Sequence, residues 1–177
     1  MADTPRSVST LQTLLADNTS GQISPQKLRD FLVSSLGIYG SIYVKDGSTQ
    51  QASLGSTPVK MTAFANDGHS HGTTTAHASD QITIDVDGKY DVSFQCSFLG
   101  SASAEFQFWL RKNAVETDFG CYRKLGATGD VGSCSFFASA IDLAATDVLT
   151  IYVETDDGGT ADDMTVKNAQ FSVRMVG

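Results

Sequence analysis

Apolar and polar residues alternate along residues 82–175, and this alternation constrains the fold more than any other feature of the chain. It is clearest where Tyr90, Val92, Phe94, Cys96 and Phe98 are each separated by one polar residue. Side chains of a β-strand point alternately to opposite faces, so this pattern predicts a strand with one buried and one solvated face. The same period recurs at residues 82–86, 106–110, 149–153 and 171–175, and more weakly at 119–124 and 133–138.

Short strands need tight turns, and the composition supplies them. The chain has 16 glycines and only 18% charged residues, and Asp87-Gly88 is a strong hairpin signal. We expect about eight to ten short strands, which is typical of an antiparallel sandwich or jelly roll. The predicted fold class is mainly β, an antiparallel jelly-roll sandwich preceded by a short α-helical N-terminal segment.

The charge and the apolar runs exclude two kinds of partner. A net charge of −8 argues against nucleic acid, because nucleic-acid-binding proteins carry a basic patch. No apolar run is long enough to span a bilayer, and the N-terminus has no apolar secretion signal. We therefore expect no membrane partner and assembly in a cytosol.

Cys96, Cys121 and Cys134 form an odd set without a CxxC pair. A secreted disulfide framework normally has an even number of cysteines. The sequence therefore favours reduced thiols, buried as small apolar side chains, over a bridge.

The first forty residues differ from the rest, because their apolar residues have helical spacing. Leu11, Leu14 and Leu15 form one short stripe. A second helix is predicted after Ser24 and Pro25, since serine is a good N-cap and proline suits the first helical turn. The stripe of this second helix includes Leu28, Phe31 and Leu32.

A helix this short is marginal in water, so its stripe must be buried against something. We predict that both stripes attach the chain to a partner. The predicted organisation is an attachment arm and helix at 1–45, a polar linker or lead-in at 46–60, and the jelly roll at 61–177.

The sequence contains no phosphate loop, dinucleotide fingerprint, nucleophile elbow or zinc-protease helix, so we expect neither an enzyme nor a cofactor. His69, His71 and His77 form a cluster in which His69 and His71 are the candidate metal ligands, because His-x-His places two imidazoles on one face of an extended strand. An exposed polar loop is the favoured interpretation of this cluster. The acidic pairs Asp156-Asp157 and Asp162-Asp163 are likewise interpreted as a solvated loop, with Ca²⁺ binding as the alternative.

Trp109 is out of phase with the apolar residues of its strand and is therefore predicted to point away from the core. A large aromatic side chain on an outer face tends to be covered. We take Trp109, Tyr122 and Tyr152 as candidate trimer-interface residues, with a minor core beneath a loop as the alternative.

Two parts of the sequence resemble known viral modules. The larger part comprises the segments DGKYDVSFQCSFLGSASAEFQFWLRKNA, DVLTIYVETDD and FSVRMV. It resembles the trimeric jelly-roll head of the complement/tumour-necrosis-factor-like superfamily in phage fibres and decoration proteins, although Ala114 stands where that family usually has glycine. The other part lies in the N-terminal region and reads LLADNTSGQISPQKLRDFLVSSLG. It resembles a short module of tailed-phage virion proteins. It matches at Leu15, Asp17, Asn18, Thr19, Gly21, Ile23, Ser24, Leu28, Arg29 and Asp30.

The resemblance implies a homotrimer that is assembled in the host cytoplasm and located on the virion. The expected function is a capsid decoration, cement or head-fibre protein, whose N-terminal segment binds the major capsid protein or another virion protein. The alternative is a tail or neck fibre adhesin that binds a host-surface receptor.

Overall fold

The computed structural model describes residues 6, 7, 10, 13, 24–35, 37–156 and 162–177. The helix α1 (Pro25–Ser35) precedes the strands. The strands are β1 (Tyr39–Val44), β2 (Gln50–Leu54), β3 (Val59–Lys60), β4 (Asn66–Asp67), β5 (Thr73–Ala76), β6 (Gln81–Ile84), β7 (Gly88–Gly100), β8 (Glu105–Lys112), β9 (Val115–Lys124), β10 (Val131–Leu143), β11 (Val148–Thr155) and β12 (Asp162–Met175).

These strands form two antiparallel sheets. Sheet A has the order β10-β7-β12-β1-β4, and β2 also pairs with β12. Sheet B has the order β5-β6-β11-β8-β9, and β3 also pairs with β11. The predicted mainly-β jelly-roll sandwich with a short N-terminal helix is confirmed.

The core lies between the inner faces of the two sheets and consists of the alternating apolar residues. Phe94 and Phe98 of β7 contact Phe106 and Phe108 of β8, with ring centroids 5.1 to 5.6 Å apart. All four side chains are almost completely buried. Aromatic pairs at these distances stabilise a core beyond the area they bury.

The sandwich begins earlier than the sequence indicated. Strand β1 lies within the segment assigned to the arm, yet it pairs with β12 along its whole length, from Tyr39 opposite Arg174 to Val44 opposite Ala169. Strands β2 and β3 lie within the segment assigned to the linker. These strands are short, and their place is fixed by partners more than ninety residues away, so local alternation gives little sign of them.

Helix α1 starts as predicted. The Oγ atom of Ser24 accepts a hydrogen bond of 3.2 Å from the backbone N–H of Lys27, which is the N-cap interaction. The buried carboxylate of Asp30 accepts hydrogen bonds of 2.7 Å from Nε of Arg6 and from Nε2 of Gln26. The arm is therefore tied to the buried side of the helix at Asp30.

The turn between β8 and β9 consists of Asn113 and Ala114. Both have positive φ angles, of 52° and 65°, while Lys112 and Val115 pair on either side. This is the backbone of a two-residue type I′ hairpin, which forms here although alanine occupies its second position. Within the described residues, no helix has the length and apolar character needed to cross a membrane.

Candidate functional site

The outward face of sheet A has no charged residue across its centre. We call this surface the uncharged face. By contrast, the outward face of sheet B carries Lys60, Arg111 and Glu154. Depletion of charge marks the centre of protein interfaces, since a buried unpaired charge is costly. The uncharged face comprises Ser41, Tyr43, Ser93, Gln95, Ser97, Ser133, Ser135, Phe137, Asn168, Gln170 and Ser172.

Hydrogen bonds between neighbouring strands hold these polar side chains against the sheet. Ser93 and Ser172 are joined by a 2.8 Å bond between their hydroxyl oxygens. Beside them, Nε2 of Gln95 donates to Oε1 of Gln170 over 3.2 Å. Together with the 3.3 Å bond from Asn168 to Ser97, these bonds fix several polar groups of the uncharged face within the chain.

A shallow groove runs over the uncharged face. Its main part has a volume of about 590 Å³ and is lined by Tyr43, Gln95, Ser135 and Gln170, among others. A second part of about 490 Å³ extends it to Phe137, whose side chain is 62% exposed. An aromatic residue this exposed beside a charge-free groove indicates a contact surface.

The three aromatic residues predicted for a trimer interface lie on the opposite side of the sandwich. Trp109 of β8, Tyr122 of β9 and Tyr152 of β11 occupy the outward face of sheet B. The structure does bring them onto one surface, but that surface is not the uncharged face.

Sequence reasoning missed Tyr43 and Phe137. For Phe137 a signal was available in the alternation, because it follows Phe136, which packs against the core, and the phase argument used for Trp109 applies to it as well. Tyr43 lies in β1, which is too short for its alternation to identify the strand.

The prediction of three reduced cysteines is wrong for two of them. Cys121 and Cys134 form a disulfide that joins β9 of sheet B to β10 of sheet A, with Cα atoms 6.1 Å apart. Their proximity comes from the stacking of the two sheets, which spacing along the chain does not reveal. Cys96 is a buried free thiol that lies opposite Cys134 in the register of β7 and β10, and burial raises its pKa to about 12.

The candidate metal ligands do not form a three-residue cluster. Nδ1 of His77 lies 2.8 Å from a carboxylate oxygen of Asp67. His71 exchanges backbone hydrogen bonds with Tyr39, and its ring lies beside the Tyr39 ring at 6.3 Å. Among the residues that the structure describes, His, Cys, Asp and Glu side chains nowhere gather in a group of three that could hold a metal ion.

The described acidic residues next to the loop hydrogen-bond to backbone groups of distant segments. Asp156 accepts from the backbone N–H of Glu105 over 2.8 Å, and Asp163 accepts from the backbone N–H of Ser53 over 3.0 Å. Asp162 is buried, and its Oδ2 atom has no hydrogen-bond partner. Asp157 lies outside the described residues.

The candidate attachment residues fall into two groups. Leu11, Leu14 and Leu15 lie outside the described residues. Leu28, Phe31 and Leu32 lie on α1 and are 52%, 42% and 55% exposed. The helix therefore presents these three apolar side chains on its surface.

Comparison with known proteins shows a likeness in structure. No protein-family model matches the sequence, and no curated protein matches it significantly. Among solved structures, the Eiger TNF from S. frugiperda is similar to this chain, with a TM-score of 0.59 and 14% sequence identity. The alignment covers 80% of this chain and 93% of the Eiger chain. The chain has a TNF/C1q-like jelly-roll fold.

Two further structures support this fold. The globular domain of the zebrafish complement 1qA protein covers 80% of this chain and 98% of its own, with a TM-score of 0.56 and 15% identity. The alignment with murine APRIL at pH 5.0 covers 78% of this chain and 99% of the APRIL chain, with a TM-score of 0.51 and 12% sequence identity. The TNF/C1q-like jelly roll of this chain is thus similar to nearly the whole of each of these domains.

Proposed function

We propose that this chain is a non-enzymatic structural protein of a tailed-phage virion, a capsid decoration or head-fibre protein that self-associates as a homotrimer. The uncharged face carries the self-association part of the proposal. A sheet surface without charges is a poor solvent-exposed surface, because exposed sheets normally carry charged side chains that prevent association. A second copy of the chain is the occupant that this surface fits.

The exposed edge of the sandwich supplies the other half of the contact. Val131 is exposed on β10, the edge strand of sheet A. Contact between the edge of one copy and the groove of the next is heterologous, and such a contact forms a closed ring when the rotation between copies closes. The resemblance to trimeric jelly-roll heads gives the number three.

A matched pair of glutamine substitutions tests self-association. Gln170→Lys places a charge at the centre of the uncharged face, and Gln107→Lys places the same charge on the outward face of sheet B. We expect light scattering to give a trimeric mass for the natural chain and for Gln107→Lys, but a largely monomeric mass for Gln170→Lys, since an unpaired interfacial charge is costly. A monomeric natural chain, or an unchanged Gln170→Lys trimer, contradicts this assignment.

The apolar stripe of α1 supports attachment to the virion by the N-terminal segment. Leu28 and Phe31 are exposed on the helix, while Asp30 fixes its other side to the arm. The double variant Leu28→Ser, Phe31→Ser should keep the trimeric mass but no longer co-sediment with particles that lack the protein. Lys27→Ser, a polar residue of the same helix, is the control that should still bind.

The outward aromatic residues of sheet B favour a second candidate, a tail or neck fibre adhesin. The copy number in purified particles separates the two. A number comparable with that of the capsomers supports decoration, whereas a number comparable with that of a single tail or neck ring supports the adhesin.

A further inference from the structure

Three aromatic side chains lie on neighbouring strands of the outward face of sheet B, and we call this surface the aromatic face. Trp109 of β8 lies directly opposite Tyr152 of β11. Tyr122 of β9 lies opposite Gln107, which is the next outward position along β8. Since neighbouring strands are about 4.8 Å apart, the aromatic face extends over roughly 10 Å across three strands.

Trp109 is held in a fixed orientation. Its indole ring lies over Gly120 of β9, where a Cβ atom would come within 2.4 Å of the ring. Its Nε1–H donates a hydrogen bond of 2.8 Å to Glu154. The absence of a side chain at Gly120 and the bond to Glu154 therefore set the position of the ring before any ligand binds.

Tyr152 is flanked by the guanidinium group of Arg111, in which not every N–H group has a hydrogen-bond partner. The Arg111 guanidinium lies 4.1 Å from the centre of the Tyr152 ring, and its Nη2 donates to Glu116 over 3.2 Å. Nε of Arg111 has no partner, and neither has the hydroxyl of Thr150, which lies opposite Arg111 in register. Buried polar atoms without partners call for an explanation, and an ordered water is a common one.

The three rings of the aromatic face do not pack against one another. None of the ring contacts between described residues joins Trp109, Tyr122 or Tyr152 to another of the three. Tyr122 is 73% exposed. Ring surface is thus available for a ligand that is flat and apolar on one side.

We propose that the aromatic face binds an oligosaccharide. A pyranose ring presents a face of C–H groups that can stack on an aromatic ring, and its edge carries hydroxyl groups that both donate and accept hydrogen bonds. Around the aromatic face, Glu154 offers carboxylate oxygens, Gln107 offers an amide and Arg111 offers N–H donors. Apolar surface with a few fixed polar groups is the usual composition of a small-ligand site.

A protein partner fits this surface less well. Charged groups are depleted at the centre of protein interfaces, but Glu154 and Arg111 lie next to the rings of the aromatic face. The uncharged face on sheet A has the composition that a protein partner requires. The proposal depends on the proposed function only because sheet B must stay uncovered in the trimer.

Trp109 is the only tryptophan of the chain, so its fluorescence reports on this site alone. The full-length protein is titrated with maltohexaose, cellohexaose, chitohexaose and sialyllactose. We expect at least one of these sugars to cause a saturable change in emission. Tyr152→Ala should weaken that binding about tenfold, the equivalent of one lost stacking contact, and Tyr152→Phe should restore most of it.

Tyr39→Ala, a tyrosine of sheet A, is the matched control and should bind like the natural chain. The trimeric mass and the thermal midpoint of each variant are measured alongside, so that loss of the sugar site is distinguished from loss of the assembly or of the fold. Binding by a protein that proves monomeric would retain the sugar site and reject the trimer. The sugar site is overturned if no sugar gives a saturable change, or if emission without sugar changes as the trimer dissociates on dilution, because the aromatic face would then be a subunit contact.

Discussion

Asn113 and Asp147 hold two turns of sheet B together, since Nδ2 of Asn113 donates a hydrogen bond of 2.7 Å to Oδ1 of Asp147. Oδ1 of Asn113 in turn accepts a bond of 2.8 Å from the backbone N–H of Val148. The backbone N–H of Asn113 donates to the carbonyl oxygen of Val148, also over 2.8 Å. The start of β11 thus fixes the turn between β8 and β9, which explains how Ala114 is kept at a φ angle of 65°.

Ala114→Gly should stabilise the protein. A left-handed backbone costs an L-residue about 1 kcal/mol, and glycine avoids that cost. We expect the free energy of unfolding to rise by up to about 1 kcal/mol in denaturant titrations. Ala145→Gly is the control, because Ala145 is a turn residue without a positive φ angle and should gain nothing. A fall in stability for Ala114→Gly would show that the turn is not strained.

Asp147→Asn should destabilise the protein at neutral pH and have little effect in acid. Burial alone would raise the pKa of Asp147, but bonds from the backbone N–H of Ala144 and from Asn113, with the charge of Lys112, lower it below the ordinary value. Because the pKa of Asp147 is lower in the folded state, the stability that its carboxylate contributes is complete above the unfolded pKa of about 3.9. That stability is lost as the pH falls through the folded pKa.

The measurement for Asp147 is the free energy of unfolding of both chains between neutral pH and strong acid. We expect a deficit of roughly 1.5–3 kcal/mol at neutral pH, typical of hydrogen bonds to a charged group, which narrows as the pH falls. Asp118→Asn, which removes an exposed carboxylate, is the control. A deficit that does not depend on pH would assign the effect of Asp147 to shape alone.

The sequence was sufficient for the long strands and for the orientation of their side chains. Phe94, Phe98 and Trp109 lie on the faces that alternation predicts, because the two-residue period is a local property of the backbone. Strand β1 and the Cys121–Cys134 bond were not predicted, since each depends on which distant segment becomes a neighbour. The uncharged face was missed for the same reason, as it is assembled from four strands whose individual polar residues are ordinary.

The number of reactive thiols tests the disulfide. In denaturant without reductant we expect one titratable thiol per chain, that of Cys96, and three after reduction. In the native protein Cys96 should react slowly, because its pKa is raised to about 12 by burial and the thiolate is the reactive form.

The same bond should contribute to stability. Cys134→Ser should lower the free energy of unfolding by roughly 3 kcal/mol under oxidising conditions, the usual magnitude for a loop of this length. Under reducing conditions the natural chain should show a similar loss. Three titratable thiols in the unreduced, denatured protein would rule out the bond.

Two truncations should differ sharply, because strand β1 belongs to sheet A, whereas Pro25–Ser35 form a helix that is part of neither sheet. Removing residues 1–36 leaves β1 intact, together with the hydrogen bond from the backbone N–H of Met175 to the carbonyl oxygen of Ile38. Removing residues 1–44 also deletes the buried side chains of Ile38, Ile42 and Val44 and leaves β12 without its partner along six residue pairs. Loss of a single such side chain typically costs a few kcal/mol.

We therefore expect the chain lacking residues 1–36 to melt cooperatively near the midpoint of the natural chain, and the chain lacking residues 1–44 to be insoluble or to unfold far below it. Calorimetry of the two chains measures this directly. If the shorter deletion alone abolished folding, the N-terminal segment would be an integral part of the sandwich. Its assignment as an attachment segment would then have to be abandoned. A binding test could not distinguish the loss of attachment from the loss of the fold.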